Sequence, residues 1–298
     1  MARTTPPTAP TPPTSRAAST PPACTTVAAL LRQYDGFLLD AYGVLVHGGG
    51  QLPGAAAFLR QLDAAGKPWL IVTNDASKTP ANAAERYQAW GLPVAADRIV
   101  SSGSLLPEWL AHNGLRGVPT CLLGPASARA FAGGNPLVAP GDRTWQVLAL
   151  CDEAGFDFLA AMDAALSTAI HRLDRGLPVA IVAPNPDLIY NAAPARFGFA
   201  AGTMARMLSD ALRLRFGEAA PTPTLLGKPH GPIFAAAIAR LGVKNPVMLG
   251  DQLATDVLGA RCAGLDAVLV GTGVSSWQAN RVPPSEAPTW LLATVGAE

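Results

Sequence analysis

The stretch Phe37-Leu38-Leu39-Asp40-Ala41-Tyr42-Gly43-Val44-Leu45 places one carboxylate directly after a run of apolar residues. Such a run, followed by a glycine, is typical of a buried strand that ends in a turn. The pattern predicts that Asp40 lies at the carboxyl end of a strand, the edge at which open α/β sheets bind their ligands. Tyr42 stands two residues further on, within the predicted turn.

Composition limits the classes of protein to which the chain can belong. With 298 residues, 49% of them hydrophobic, it is long enough for two domains or for one core with a large insertion. Its 22 basic and 21 acidic residues nearly balance, so we expect no nucleic-acid partner. No apolar run approaches the ~20 residues of a membrane span, so we expect no membrane partner. The scattered cysteines favour reduced thiols in a cytoplasmic protein (Cys24, Cys121, Cys151, Cys262).

Residues 1–28 differ in composition from the rest of the chain. They are mainly proline, threonine, alanine and serine, and only Arg3 and Arg16 are charged. Such a segment buries too little apolar surface to offset its ordering entropy, so we expect a disordered tail. A targeting peptide is the alternative, but the many prolines argue against an amphipathic helix.

Strand-like and helix-like segments alternate after this tail. The first third predicts strands within 36–45 and 69–74 and helices over 54–65 and 79–90. The final third predicts strands over 222–226, 246–250 and 267–270 and helices over 232–241 and 254–263. This order implies parallel pairing with right-handed crossovers. The expected fold class is therefore α/β, with a doubly wound parallel, Rossmann-like sheet.

The middle third predicts an α/β module of its own. It has strand patterns over 120–123, 147–150 and 178–182 and long helical patterns over 158–173 and 204–216. We therefore predict a core formed by 29–113 plus 222–298, interrupted by an inserted module over 114–221.

Polar side chains follow several predicted strands of the core. They are Asp40, Thr73 with Asn74, Lys228, and Asp251 with Asp256. Because the carboxyl ends of parallel strands share one edge, these groups can converge there. Phosphoryl transfer needs a nucleophile, a hard cation such as Mg²⁺, and donors for the phosphoryl oxygens, and this set supplies all three. Each residue alone is equally compatible with a turn or a helix cap.

Together these motifs resemble the haloacid dehalogenase (HAD) superfamily, and within it the class IIA capped phosphatases such as NagD, 4-nitrophenylphosphatase and pyridoxal phosphatase. The resemblance covers roughly 34–295. It is carried by Asp40 to Leu45, Val72-Thr73-Asn74-Asp75, Gly227-Lys228-Pro229, and Gly250-Asp251 through Thr255-Asp256 to Gly264, with Asn185-Pro186-Asp187 and Ala201-Gly202-Thr203 in the middle module. It implies a HAD core with an inserted cap that sets substrate specificity.

The resemblance also implies a role for each matching residue. Asp40 would be the nucleophile and a Mg²⁺ ligand, together with Asp251 and the backbone carbonyl of Tyr42. Thr73, Asn74 and Lys228 would bind the phosphoryl group, and Lys228 would also neutralise the nucleophile. Asp256 would orient these groups, and Asn185 and Asp187 would face the substrate from the cap.

Tyr42 departs from the family pattern, which usually has an aspartate that protonates the leaving oxygen. Three accounts stay open: a substrate with a good leaving group, another acid such as His47 or a side chain of the cap, or weak activity in a protein that mainly binds phosphorylated metabolites. A metal-independent 2-haloacid dehalogenase, which carries a similar Asp-x-Tyr-Gly motif, is a further alternative. The paired acid Asp251 argues against it, because without a cation this carboxylate would repel an anionic haloacid.

The expected activity is therefore Mg²⁺-dependent hydrolysis of a small phosphorylated metabolite through an aspartyl-phosphate. The resemblance also allows a homodimer formed through the cap.

Overall fold

The computed structural model describes residues 22–193, 196–275, 277 and 286–296. They divide into two compact units. The inserted unit contains Asn74–Thr79 and Ser101–Gly227, and the core unit contains the remaining described residues up to Thr73, Pro80–Val100 and those from Lys228 onward.

The elements are numbered here in chain order. The strands are β1 (Ala23–Cys24), β2 (Gly36–Leu39), β3 (Val46–His47), β4 (Gly50–Gln51), β5 (Trp69–Thr73), β6 (Ile99–Ser101), β7 (Thr120–Leu123), β8 (Val147–Leu150), β9 (Ala180–Ala183), β10 (Ile189–Ala193), β11 (Arg196–Phe199), β12 (Thr224–Leu225), β13 (Pro246–Gly250), β14 (Asp266–Val270) and β15 (Trp290–Leu292). The α-helices are α1 (Val27–Gln33), α2 (Ala55–Ala64), α3 (Pro80–Ala89), α4 (Leu106–His112), α5 (Phe158–Leu173), α6 (Ala201–Phe216), α7 (Gly231–Leu241) and α8 (Leu258–Cys262).

The core unit is built on a seven-stranded sheet in the order β1-β15-β14-β13-β2-β5-β6. β2 runs parallel to both β13 and β5, and Leu39 lies beside Leu249 on one side and Ile71 on the other. Every residue of β2, β5 and β13 is buried, as expected for parallel strands covered on both faces. Apolar residues of α1, α2 and α3 pack with Phe37 and Leu39 in one cluster. The predicted doubly wound α/β class is confirmed.

The inserted unit has its own four-stranded sheet in the order β12-β9-β8-β7. The pairs β7–β8, β8–β9 and β9–β12 are all parallel. Helices α5 and α6 bury Met162, Ala165, Met204 and Leu208 against the side chains of this sheet, including Leu148. A separate antiparallel hairpin is formed by β10 and β11.

The sequence patterns predicted several elements to the residue, namely β7, β8 and α5. The helix expected over 254–263 begins instead with a π-turn, Leu253–Val257, before α8. The strand expected over 222–226 is shortened to β12 and pairs with β9 of the inserted unit, although the prediction assigned it to the core. The fold as a whole determines which strand β12 pairs with, because a strand of two residues is too short to encode its partner.

The extent of the predicted tail is also corrected. Residues 1–21 lie outside the described part of the chain, but β1 and α1 already begin at Ala23 and Val27. Thr26 caps α1 by accepting a hydrogen bond from Ala29 N, and Val27 and Leu30 are buried. The burial of Val27 and Leu30 holds α1 in place, so ordered structure begins before residue 28.

In the part of the chain that the structure describes, we find no helix with the length and apolar character needed to cross a membrane.

Candidate active site

Asp40 follows β2 directly and is held there by the sheet. Its backbone N donates a hydrogen bond to Leu249 O at 2.8 Å, which extends the pairing of β2 with β13 by one residue. The residue is 6% exposed, although it carries an ionisable side chain. The strand ladder therefore fixes the backbone of Asp40 at the carboxyl edge of the sheet.

Lys228 neutralises this carboxylate from a position 188 residues away in the chain. Its Nζ lies 2.6 Å from Oδ1 of Asp40 and 2.7 Å from Oδ1 of Asp256, and it donates a hydrogen bond to each. Burial alone would lower the pKa of Lys228, but the Asp256 and Asp40 carboxylates outweigh burial and raise that pKa above its usual range. The lysine is therefore a fixed ammonium at neutral pH.

Three buried carboxylates lie together at this site. Oxygen atoms of Asp40, Asp251 and Asp256 all lie within 4.8 Å of one another. Burial raises the pKa of Asp40 well above its ordinary value, and the attraction of Lys228 does not offset this effect. Burial, with the nearby Asp256 carboxylate, raises the pKa of Asp251 to about 6. One cation facing three acids leaves a surplus of negative charge, which adds to the effect of burial on the pKa values of Asp40 and Asp251.

The hydrogen bonds of Asp251 are incomplete in a way that suits a cation. Its Oδ2 accepts a hydrogen bond from Val274 N at 2.8 Å. Its Oδ1 is buried, and no described residue donates a hydrogen bond to it. A buried carboxylate oxygen without a donor, beside two further carboxylates, is what a hard divalent ion coordinates. The donor set therefore fits Mg²⁺.

Glycines allow the backbone to approach these acids closely. A Cβ on Gly43 (φ +82°) would lie 2.5 Å from Oδ2 of Asp251, and one on Gly273 would lie 2.0 Å from the same atom. A Cβ on Gly250 would lie 2.2 Å from Cβ of Asp256. Larger residues at these positions would displace Asp251 or Asp256, so the acid cluster depends on all three glycines.

Thr73 and Asn74 follow the neighbouring strand of the core sheet. Thr73 ends β5, which pairs with β2, and both residues are buried. Asn74 groups with the inserted unit, where its Nδ2 donates to Oδ1 of Asp187 at 2.9 Å. Oδ1 of Asn185 accepts a hydrogen bond from the backbone N of Asp187 at 2.9 Å.

The predicted site residues are thus distributed over two units. Asp40, Lys228, Asp251 and Asp256 form one contiguous cluster in the core unit, whereas Asn185 and Asp187 belong to the inserted unit. Tyr42 is 39% exposed, in contrast to the buried acids. The roles of all of these residues remain predictions.

Sequence reasoning missed the loop that follows β14. Val274 N binds Asp251, and Oγ1 of Thr272 donates a hydrogen bond to Gly43 O at 2.6 Å. The available signal was the run Gly271-Thr272-Gly273 directly after an apolar strand, which is typical of a backbone that approaches a site closely.

Comparison with known proteins places the chain in a family. A family model described as haloacid dehalogenase-like hydrolase matches residues 37–133, and a second, described as HAD-hydrolase-like, matches residues 225–297. Together the two segments include every member of the core cluster and more than half of the chain. The chain belongs to the haloacid dehalogenase-like hydrolases.

Individual relatives agree with this family. The chain is 26% identical over 262 residues to an acid sugar phosphatase of Staphylococcus aureus, covering 86% of this chain and 94% of the relative. It is 25% identical over 248 residues to a 5′-nucleotidase of Bacillus subtilis, covering 82% and 90%. A possible sugar phosphatase of the HAD superfamily from Cytophaga hutchinsonii has a structure that superposes with a TM-score of 0.76 at 26% identity, covering 93% of this chain and 99% of that one.

Proposed function

We propose that this chain is a Mg²⁺-dependent phosphatase that hydrolyses small phosphorylated metabolites through an aspartyl-phosphate at Asp40. The observation that carries the proposal is the buried contact of Asp40 with Lys228, beside the buried Oδ1 of Asp251 that lacks a donor. The names of the sugar phosphatase and nucleotidase relatives support hydrolysis of phosphate monoesters. They disagree about the substrate, so the natural substrate within this class stays open.

Each side chain has a defined task in this proposal. An Oδ oxygen of Asp40 attacks phosphorus, and Lys228 lowers the repulsion between that carboxylate and the phosphate dianion. Thr73 and Asn74 donate hydrogen bonds to the phosphoryl oxygens. Asp256 accepts hydrogen bonds from Lys228 Nζ and from Gln252 N (3.1 Å), which hold it in place to orient the ammonium.

Asp40, Asp251 and the backbone carbonyl of Tyr42 would hold Mg²⁺, which when bound supplies positive charge against the transferring phosphoryl group. The fit rests on the surplus negative charge of the acid cluster and on the buried oxygen of Asp251. A cation there would also allow Asp40 and Asp251, whose pKa values are raised in the metal-free protein, to ionise together.

A phosphatase panel with matched variants tests this proposal. Wild-type protein should release phosphate from at least one substrate class with Mg²⁺ and lose that activity with a chelator. Asp40→Asn should abolish turnover, whereas Asp35→Asn, the same change at an exposed position before β2, should not affect it. Turnover that survives Asp40→Asn would remove the nucleophile assignment.

A phosphometabolite-binding protein with little turnover is the second candidate, favoured by the tyrosine at position 42. Calorimetry with inorganic phosphate and Mg²⁺ detects binding in both cases, so only the turnover assay separates them. The dehalogenase alternative predicts chloride release from 2-chloropropionate in the presence of chelator, and the phosphatase proposal predicts none.

We assign substrate selection to the inserted unit, through Asn185 and Asp187 beside Asn74. The hydrogen bond from Asn74 to Asp187 supports this assignment, because it ties a predicted phosphate-binding residue to a predicted substrate-binding one. Asp187→Asn should therefore alter the KM values of different substrates relative to one another. It should alter the kcat for each substrate less.

The inserted unit is also where we place a homodimer contact. On one face of its hairpin, Ile189 pairs with Phe199, and Phe197 lies two residues along the same strand. These side chains are 58–68% exposed. Phe197→Glu should convert a dimer to a monomer in light scattering, whereas Leu214→Glu on α6, which is 91% exposed, should not. A wild-type monomer would contradict the dimer.

We further propose a cytoplasmic location, because the scattered spacing of Cys24, Cys121, Cys151 and Cys262 is typical of reduced thiols.

A further inference from the structure

The loop that follows the proposed nucleophile contains no carboxylate. Within residues 41–46, all of which the structure describes, Ala41, Val44, Leu45 and Val46 are fully buried apolar residues and Gly43 has no side chain. Tyr42 is therefore the loop residue with a proton-bearing side chain, and that side chain is 39% exposed. General acid–base catalysis by a carboxyl group has no donor in this loop.

Hydrogen bonds also hold the loop of residues 41–46 in place. A rearrangement of this loop therefore does not bring a distant acid to the site. The backbone N groups of Leu45 and Val46 both donate to Ala41 O at 2.9 Å, and Gly43 N donates to Val46 O at 2.8 Å. Thr272 Oγ1 binds Gly43 O, and Gly43 lies directly against Asp251.

Two titratable groups near the loop are already engaged in hydrogen bonds, namely Lys228 and His47. Lys228 donates to Asp40 and Asp256, and Nδ1 of His47 accepts a hydrogen bond from Gly49 N at 2.8 Å on the hairpin. His47 is exposed and stands next to the buried Val46. His47 is the one titratable residue of the β3–β4 hairpin that could protonate the leaving oxygen in place of a carboxyl group. It therefore requires its own control variant.

We propose that this site is selective for phosphate esters and anhydrides of acidic hydroxyl groups, namely aryl, enol or acyl phosphates, because position 42 supplies no carboxyl group to protonate a leaving oxygen. The proposal rests on the phosphatase function proposed above and narrows its substrate class. Simple alkyl phosphates then become poor substrates, because their leaving alkoxide must depart without a proton.

The bond changes show where selectivity arises. In the first step an Asp40 oxygen forms a bond to phosphorus, and the electron pair of the P–O(R) bond leaves with RO⁻, which takes a proton from solvent afterwards. In the second step water attacks phosphorus, loses a proton to solvent, and the electron pair of the P–O bond to Asp40 returns to the carboxylate. Only the first step depends on R, so kcat/KM reports the selectivity.

The test compares kcat/KM for 4-nitrophenyl phosphate, phenyl phosphate and glycerol 3-phosphate with Mg²⁺ in wild-type protein. We expect a steep fall along this series, with a ratio of at least about 10² between its ends. Tyr42→Asp should raise kcat/KM for glycerol 3-phosphate by about 10²–10⁴-fold and that for 4-nitrophenyl phosphate far less. Tyr42→Asn introduces a side chain of the same size as aspartate but without its acid group, so it should give no such gain.

Four results would overturn the inference: a flat series in wild-type protein, an equal gain in Tyr42→Asn, or a selective loss of alkyl phosphate turnover in either His47→Gln or Tyr42→Phe. Loss of alkyl turnover in those last two variants would identify His47 or the Tyr42 phenol as the acid. If alkyl and aryl phosphates react alike and Asp40→Asn abolishes both, the narrowed class fails while the phosphatase function stands.

Discussion

Replacing Lys228 with methionine removes the one ammonium from the acid cluster with little change in side-chain volume. The variant loses two buried hydrogen bonds, of 2.6 Å to Asp40 and 2.7 Å to Asp256, and leaves both carboxylates without their cation. Removing one partner of a buried ion pair costs about 3–5 kcal/mol. We expect a loss of this size in the free energy of unfolding of metal-free protein at pH 7.5.

The assay is urea unfolding followed by circular dichroism, with hydrogen exchange of the peptides that contain β2 and β13 as a local readout. Because burial raises the pKa of Asp40, its carboxyl group takes up a proton readily, so the cost of Lys228→Met should shrink toward pH 5. Lys78→Met is the control, since Lys78 lies 3.5 Å from Asp75 with its side chain 32% exposed, and such a pair contributes about 0–1 kcal/mol. A Lys228→Met protein as stable as Lys78→Met at both pH values would refute the reasoning.

Further predictions follow from the same geometry. Because the pKa of Asp251 is raised to about 6 from 3.8, the folded metal-free protein binds more protons than the unfolded one between these values, so its stability should fall by about 2 kcal/mol from pH 4 to pH 6 in chemical denaturation, and Mg²⁺ should reduce that fall. Gly273→Ala, whose Cβ would lie 2.0 Å from Oδ2 of Asp251, should weaken Mg²⁺ binding by about 10–100-fold in calorimetry, whereas Gly231→Ala, which meets nothing within 4 Å, should not. Equal affinities would contradict the close approach. Since the loop after Asp40 also lacks a carboxylate to activate water, stopped-flow traces with 4-nitrophenyl phosphate should show a burst of nitrophenol before a slow steady state, and a linear trace would exclude slow hydrolysis of the phosphoenzyme.

The core of the fold could be predicted because its strands are short apolar runs bounded by polar residues and glycines. β2, β5 and β13 follow this pattern, and their parallel order places Asp40, Thr73 and Asp251 at ends of strands that share one edge of the sheet. Local sequence encodes where a buried parallel strand ends, so the position of each polar residue at the edge follows from it.

Features that depend on long-range packing could not be predicted in this way. The pairing of β12 with the inserted sheet and the start of ordered structure at Ala23 are set by distant partners. The same holds for the approach of Gly273 to Asp251, because no local pattern states which acid a glycine will face. The buried Oδ1 of Asp251, on which the metal proposal depends, follows only from the three-dimensional arrangement.

The identity of the nucleophile is tested most directly by locating the covalent phosphate. Wild-type protein would be incubated with 4-nitrophenyl phosphate and Mg²⁺, quenched in acid, digested with trypsin and sequenced by tandem mass spectrometry. The peptide of residues 33–60 contains both Asp35 and Asp40 and so provides an internal control. The account predicts phosphate on Asp40, absent in Asp40→Asn. Phosphate on Asp35 or on another residue, or substrate turnover with no phosphorylated peptide, would contradict it.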